Sequence, residues 1–164
     1  MTGPQGVHSM SKISKSIEVD VPVSTAYNQW TQFEDFPRFM EGVKGVSQID
    51  DKTLEWTAEV AGVKRSWRAE IVDQTPDRRI SWRSTSGARH NGVVTFEPLG
   101  DGRTRVTLEM DVDPEGFVEN VADALGILDR RIEGDLERFK EFIEARGRET
   151  GAWRGEVQQG TRTR

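Results

Sequence analysis

The fold is decided by residues 103–147, which read RTRVTLEMDVDPEGFVENVADALGILDRRIEGDLERFKEFIEARG. Apolar and polar residues alternate up to position 112, which is the period-two pattern of a strand with one buried face. Asp113-Pro114 then marks a helix start, and Gly147 marks its end. Between them the apolar residues lie three or four positions apart, and they are Phe117, Val121, Leu125, Leu128, Ile132, Leu136, Phe139 and Ile143. The stretch therefore predicts a half-buried strand followed by a helix with one apolar stripe.

Upstream, the same alternation predicts a meander of antiparallel strands. The first strand pattern ends at Pro22. A weak pattern follows at residues 46–49, and clearer ones follow at residues 54–60, 63–71, 80–82 and 93–96. Turn residues separate them, and Asn91-Gly92 reads as part of a hairpin loop. Two short helices are expected after the first strand, one capped by Ser24 and one over residues 35–40. The predicted fold class is α+β, with a curved antiparallel sheet wrapped around a long C-terminal helix.

The 164 residues are near the size of one domain, and the two ends differ from the middle. Residues 1–12 are interpreted as a disordered extension or a cloning remnant, because they contain glycine and proline without periodicity. Residues 13–147 form the expected domain. Residues 148–164 are expected to be a mobile tail, in which Trp153 is the one candidate anchor.

Composition excludes several classes of function. The net charge of -5 has the wrong sign for a nucleic-acid-binding protein. With no cysteine and two histidines, neither a thiolate nor a histidine metal cluster is expected, and no cofactor is indicated. No run of residues is long and apolar enough to cross a bilayer and no secretory signal is recognised, so a cytoplasmic location is expected.

Three segments carry a resemblance to a known family: IEVDVPV at 17–23, FPRFMEGV at 36–43, and FEPL at 96–99 running into TRVT at 104–107. With the order of elements, they resemble the helix-grip fold of the START-like superfamily. The nearest group is the polyketide cyclase/dehydrase family, which includes coenzyme Q-binding START-type proteins. The resemblance covers roughly residues 14–146 and implies a cavity for lipids, quinones or polyketides between the sheet and the C-terminal helix.

Candidate ligand-binding residues follow from strand parity and from the helix stripe. Three strand tryptophans fall on the apolar face, where indole rings offer a large apolar area and stack on planar ligands. Filling of the core by the same rings is the competing interpretation, and Gly126 in the helix allows either close packing or room for a ligand. The candidates are Trp56, Trp67, Trp82, Phe96, Met110, Leu125, Gly126 and Leu128.

Catalytic chemistry has less support in the sequence. His90 lies beside Asn91 and is interpreted as a solvated turn histidine, dispensable for folding, with a proton shuttle as the alternative. Cyclases of the family use a cavity arginine, whereas alternation points Arg68 and Arg83 toward water. No catalytic residue is therefore assigned.

Three hypotheses of function remain. The leading one is non-catalytic binding, carriage or sequestration of a small hydrophobic molecule. The second is a polyketide aromatase/cyclase or dehydratase. The third is a regulatory protein-interaction module, although no feature of the sequence specifically indicates a protein partner.

Overall fold

The meander folds into one antiparallel sheet in which seven strands follow the order β1-β7-β6-β5-β4-β3-β2. The computed structural model describes residues 10–50, 52–60, 62–87, 89–114, 122–158 and 161–162. The seven strands are β1 (Ser11–Val19), β2 (Val43–Gln48), β3 (Thr53–Val60), β4 (Val63–Thr75), β5 (Arg79–Ser86), β6 (His90–Gly100) and β7 (Arg103–Val112). Two short C-terminal strands, β8 (Val157–Gln158) and β9 (Thr161–Arg162), extend the sheet through pairing of β8 with β4.

Two short helices follow β1, as the sequence predicts. Helix α1 spans Val23–Trp30 and a 3₁₀ helix spans Phe33–Arg38. Ser24 is not the cap of α1, because the helix begins one residue earlier and its N-cap is Pro22. The aromatic residues of these helices pack on each other, with the Trp30 and Phe36 ring centroids 5.3 Å apart, and they close one side of the core.

The long helix, α2 (Ala124–Arg146), crosses the concave face of the sheet and ends at Gly147, whose φ of 72° is left-handed as expected for a C-cap glycine. The sequence predicts that this helix starts at Asp113-Pro114, whereas α2 starts at Ala124. Its N-cap is Asp123, whose carboxylate accepts a hydrogen bond from the backbone N–H of Gly126. Phe117 and Val121 lie outside the described residues. Leu128, Leu136, Phe139 and Ile143 are buried, so the helix-grip architecture is confirmed.

Polar contacts fix α2 against the strand at the edge of the sheet. Lys15 on β1 pairs with Asp129 at 2.8 Å, and Lys140 donates to the carbonyl oxygen of Glu18 at 2.8 Å. Such exposed contacts add little stability individually. Their value is geometric, because they hold the helix over the sheet while a space is left between the two.

The two chain ends differ from expectation. The extension proposed for residues 1–12 overlaps β1, in which Ser11 pairs with Val112 and Lys12 with Asp111. The tail expected to be mobile packs back on the domain through residue 158, and Val157 is fully buried. The sequence pattern missed this contact because a two-residue strand has no periodicity to detect.

Candidate functional site: an apolar cavity under the long helix

A cavity of about 160 Å³ lies between the concave face of the sheet and α2. Strands β3 to β7 form its floor, helix α2 its roof, and α1 with the 3₁₀ helix one wall. Most of its lining is aliphatic or aromatic. The polar side chains on its wall other than the tryptophans belong to His90, Arg131 and Asp135.

Paired tryptophans dominate the floor. Trp56 on β3 and Trp67 on β4 are directly opposite in the strand register, and their rings stack at 5.7 Å with an interplanar angle of 9°. Cross-strand neighbours on one face are close enough for such contact. Trp82 on β5 faces Ile71 of β4 on the same cavity wall. The floor is therefore mainly aromatic and apolar.

Two indole N–H groups at this site lack an acceptor among the residues that the structure describes. Trp30 is 4% exposed and its Nε1 is buried without a hydrogen-bond partner, and the same holds for Nε1 of the half-buried Trp56. A buried donor without a partner costs about 1–3 kcal/mol. Both side chains line the cavity, so an acceptor atom of a bound molecule within reach of either N–H would remove that cost.

His90 corrects the sequence interpretation, because it is a buried strand residue and not a solvated turn. It is 6% exposed, lines the cavity and lies edge-on to Trp67 at 5.6 Å. Trp82 Nε1 donates to its Nδ1 at 3.2 Å, which places the ring proton of the neutral imidazole on Nε2. Burial lowers the pKa of His90 from 6.5 to about 4, so the ring is neutral at pH 7.

The reason for the error is Gly92. Asn91-Gly92 has the composition of a hairpin turn, yet Gly92 pairs with Met110 inside the β6–β7 ladder. A Cβ on Gly92 would lie 2.7 Å from the Trp82 ring and 3.1 Å from Met110 Cγ. The glycine is there for close packing, and the preceding turn uses Gly87, whose φ is 81°.

Charged side chains of α2 mark one end of the cavity. Asp135 Oδ1 accepts from Arg138 at 2.5 Å and from the backbone N–H of Glu41 at 3.3 Å. Burial nevertheless raises the pKa of the Asp135 carboxyl above its usual value, against the opposing effects of Arg138 and Arg131. Arg131 lies one helical turn earlier, beside Gly42. It forms no ion pair within 4 Å with any carboxylate in the described part of the chain.

The structure brings five of the eight candidate residues together on the cavity wall: Trp56, Trp67, Trp82, Met110 and Leu128. Phe96 lies instead in the adjoining core, edge-on to Tyr27 at 5.4 Å. Leu125 points outward and is 38% exposed. Gly126 is in the first turn of α2, where a Cβ would collide with the Asp123 carboxylate. It serves the helix cap and makes no room for a ligand.

The sequence interpretation missed Trp30, His90, Arg131 and Asp135. A signal for the last two was present. Leu128, Arg131, Ile132, Asp135 and Leu136 follow the i, i+3, i+4 spacing of one helix face, so two charges interrupt an otherwise apolar stripe. Such an interruption indicates a charged group held beside the core.

The described residues contain no group of three His, Asp or Glu side chains that could hold a metal ion. No described helix is long and apolar enough to span a membrane.

The fold and cavity define a helix-grip protein with an internal apolar site. Residues 19–141 match the family described as "Polyketide cyclase / dehydrase and lipid transport", and the chain belongs to that family. It is 54% identical over 149 residues to an uncharacterized 17.2 kDa protein of Streptomyces lincolnensis, a match that covers 90% of this chain and 99% of the relative.

Solved structures show the same fold. The Zhui aromatase/cyclase from Streptomyces sp. R1128 superposes with a TM-score of 0.71 at 15% identity, covering 88% of this chain and 99% of that one. A START superfamily protein from Mycobacterium smegmatis gives a TM-score of 0.63 at 18% identity, covering 82% and 95%. The family contains cyclases and dehydrases as well as lipid-transport proteins, so membership leaves both binding and catalysis open.

Proposed function

We propose that this protein binds and carries or sequesters a small hydrophobic molecule about the size of one aromatic ring, without converting it. The observation that carries the proposal is the apolar cavity of about 160 Å³ with its tryptophan floor. An apolar cavity of about 150 Å³ in another protein holds benzene, whereas pockets for drug-sized ligands measure about 300–1,000 Å³. The space therefore suits a ring or a short chain.

The expected affinity is modest. A ring that buries about 150 Å² of apolar surface gains roughly 4 kcal/mol at ~25 cal/mol per Å², before the cost of association is subtracted. Because 4 kcal/mol corresponds to a Kd of about 1 mM, a bare hydrocarbon is expected to bind with a Kd of about a millimolar or weaker. Tighter binding requires a polar contact in addition to burial.

A cavity-filling variant tests the proposal. Ala58 lines the cavity from β3, so Ala58→Leu adds a larger side chain to that space. Thr57→Leu adds a similar bulk on the opposite face of the same strand and is the matched control. Toluene and benzene should change tryptophan fluorescence and raise Tm in wild type and Thr57→Leu, and should do neither in a folded Ala58→Leu. Equal responses in both variants would place binding elsewhere, and no response in wild type would exclude ligands of this size.

An aromatase/cyclase or dehydratase is the second candidate, supported by the likeness to an aromatase/cyclase and by polar side chains at the cavity. Two observations weigh against it. A histidine whose pKa is about 4 is a weak general base at pH 7. The cavity is also small for a chain that must fold into several rings. Mass spectrometry and NMR after incubation with a poly-β-ketone, with and without the protein, decide: carriage changes neither the mass nor the carbon skeleton, cyclisation changes the skeleton at constant mass, and dehydration lowers the mass by one water.

A further inference from the structure

Arg131 is a feature of the cavity wall that simple hydrophobic binding does not explain. The helix carries its side chain to the cavity, where the guanidinium lies against Gly42, the residue before β2. The nearest acid on the same face is Asp135, one turn further along α2. Asp135 Oδ1 is already held by Arg138 and by the N–H of Glu41. Arg131 is thus a half-buried cation without an ion-pair partner among the described carboxylates.

Partial burial of a guanidinium that pairs with no described carboxylate is unfavourable, and it makes Arg131 a candidate anion-binding residue. A guanidinium that is partly removed from water is stabilised by a bound anion, and its planar fork matches a carboxylate with two parallel hydrogen bonds. Gly42 contributes by lacking a side chain, because a Cβ at this position would collide with Arg131 Nη1. Gly42 is itself buried, so the guanidinium is held close to the backbone at this end of the cavity.

The distance to the tryptophan floor fits one small molecule. The N–H of Glu59 on β3 donates to the carbonyl oxygen of Gly42 at 2.7 Å, so Gly42 is level with Glu59. Trp56 is three residues from Glu59 along β3, which corresponds to roughly 10 Å. A single ring against the floor, carrying a carboxylate or a short carboxylate arm, spans that distance.

We propose that the ligand of this cavity is a single-ring aromatic acid, whose carboxylate is bound by Arg131 while its ring lies against Trp56 and Trp67. The inference rests on the proposed hydrophobic binding function and names its ligand class. Arg131 is a binding residue in this arrangement, and Gly42 positions it. Asp135 stays hydrogen-bonded to Arg138 and to the N–H of Glu41, and its interaction with Arg131 is a longer-range attraction without an ion pair within 4 Å.

Two probes of similar ring size separate the ring from its charge. Toluene and benzoate are titrated at pH 7.5 into wild type, Arg131→Gln and Arg130→Gln, with ligand-observed NMR and tryptophan fluorescence as readouts. Arg130 is the matched control, because it neighbours Arg131 but its side chain is 67% exposed and lies 3.7 Å from Asp123. Loss of a charge-assisted pair should weaken benzoate binding at least tenfold in Arg131→Gln. Toluene affinity should change less than twofold, and Arg130→Gln should match wild type for both probes.

A second pair of variants guards against a folding artefact. Gly42→Ala, which displaces the guanidinium, should weaken benzoate more than toluene, and Arg131→Lys should retain part of the benzoate affinity. If toluene binds wild type and Arg131→Gln retains wild-type benzoate affinity, the aromatic-acid inference fails while the hydrophobic function stands. If toluene binds and benzoate does not, the inference fails in the same way. If neither probe binds wild type, the proposed function fails and the inference falls with it.

Discussion

Trp82 and His90 are joined across neighbouring strands by a hydrogen bond from the indole Nε1 to the imidazole Nδ1, 3.2 Å long. The bond lies on the cavity wall and fixes the tautomer of a neutral histidine. It also supplies an acceptor to an indole that is half-buried. One polar pair thus satisfies two groups that would otherwise face an apolar space.

Replacing His90 is therefore expected to destabilise the fold. His90→Ala removes a buried ring and leaves the Trp82 N–H without its acceptor, which together should lower the free energy of unfolding by about 2–3 kcal/mol. Urea denaturation measures the change. Asn91→Ala, at the adjacent exposed position, is the control and should stay within about 0.5 kcal/mol of wild type. A His90→Ala effect as small as that of the control would return His90 to the surface role that the sequence suggested.

The same histidine predicts a pH dependence. Its pKa falls from 6.5 to about 4 on folding because burial disfavours the charged ring. Because the pKa of His90 is lower in the folded protein, the unfolded chain binds the proton at a higher pH than the folded one. The contribution of neutral His90 to the free energy of unfolding is therefore complete above pH 6.5 and is lost as pH falls from 6.5 toward 4. The full effect is roughly 3 kcal/mol at 1.36 kcal/mol per pKa unit. The difference in unfolding free energy between wild type and His90→Gln, measured from pH 7 to 4.5, should shrink progressively. A constant difference would show that His90 is not titrating in this window.

Strand parity explains how much of the site could be predicted. Once the alternation of β3, β4 and β5 is read, Trp56, Trp67 and Trp82 must share one face, and the structure places them there. Arg68 and Arg83 fall on the other face and are exposed, in contact with Glu55 and Glu70. These outcomes follow from local geometry, so no tertiary information is needed.

The failures share a different cause, because each depends on contacts between residues far apart in the chain. Nothing near Gly92 in sequence indicates that Trp82 will occupy the space above it, and a turn is the ordinary interpretation of Asn91-Gly92. The docking of Val157 beside β4 likewise has no local signal. Leu125 falls on the apolar stripe by spacing, yet its side chain is 38% exposed, because at this start of α2 it is Ala124 and Leu128 that face the core.

The C-terminal segment is expected to contribute to stability. Val157 is fully buried beside β4, and the guanidinium of Arg154 donates to Asn28 Oδ1 at 2.7 Å and pairs with Asp77 at 2.8 Å. Val157→Ala should lower the free energy of unfolding by about 2 kcal/mol through the lost burial and the residual cavity. Gln158→Ala, at the exposed neighbouring position, should have little effect. Urea denaturation of both variants checks this, and equal stabilities would mean that the segment does not pack in solution.

Glycine 92 allows the most direct test of the packing that surrounds the cavity. In Gly92→Ala the new Cβ would meet the Trp82 ring at 2.7 Å and the backbone oxygen of Glu109 at 3.0 Å. Either the indole must move or the strands must separate, so a destabilisation of about 1–3 kcal/mol is expected from overpacking. Displacement of the indole would also break the bond to His90, which should shift the Trp82 Nε1–H resonance. Because that bond favours the neutral ring, its loss should raise the pKa of His90.

Gly45→Ala is the control for this substitution, because Gly45 is also in a strand but a Cβ there has nothing within 4 Å. Its unfolding free energy should stay at the wild-type value or rise by up to about 1 kcal/mol, since alanine restricts the unfolded chain more than glycine does. The two variants are compared by urea denaturation and by NMR titration of His90. Equal stability of the two, with an unchanged Trp82 resonance, would show that Gly92 is not required for the close contact between β6 and the indole.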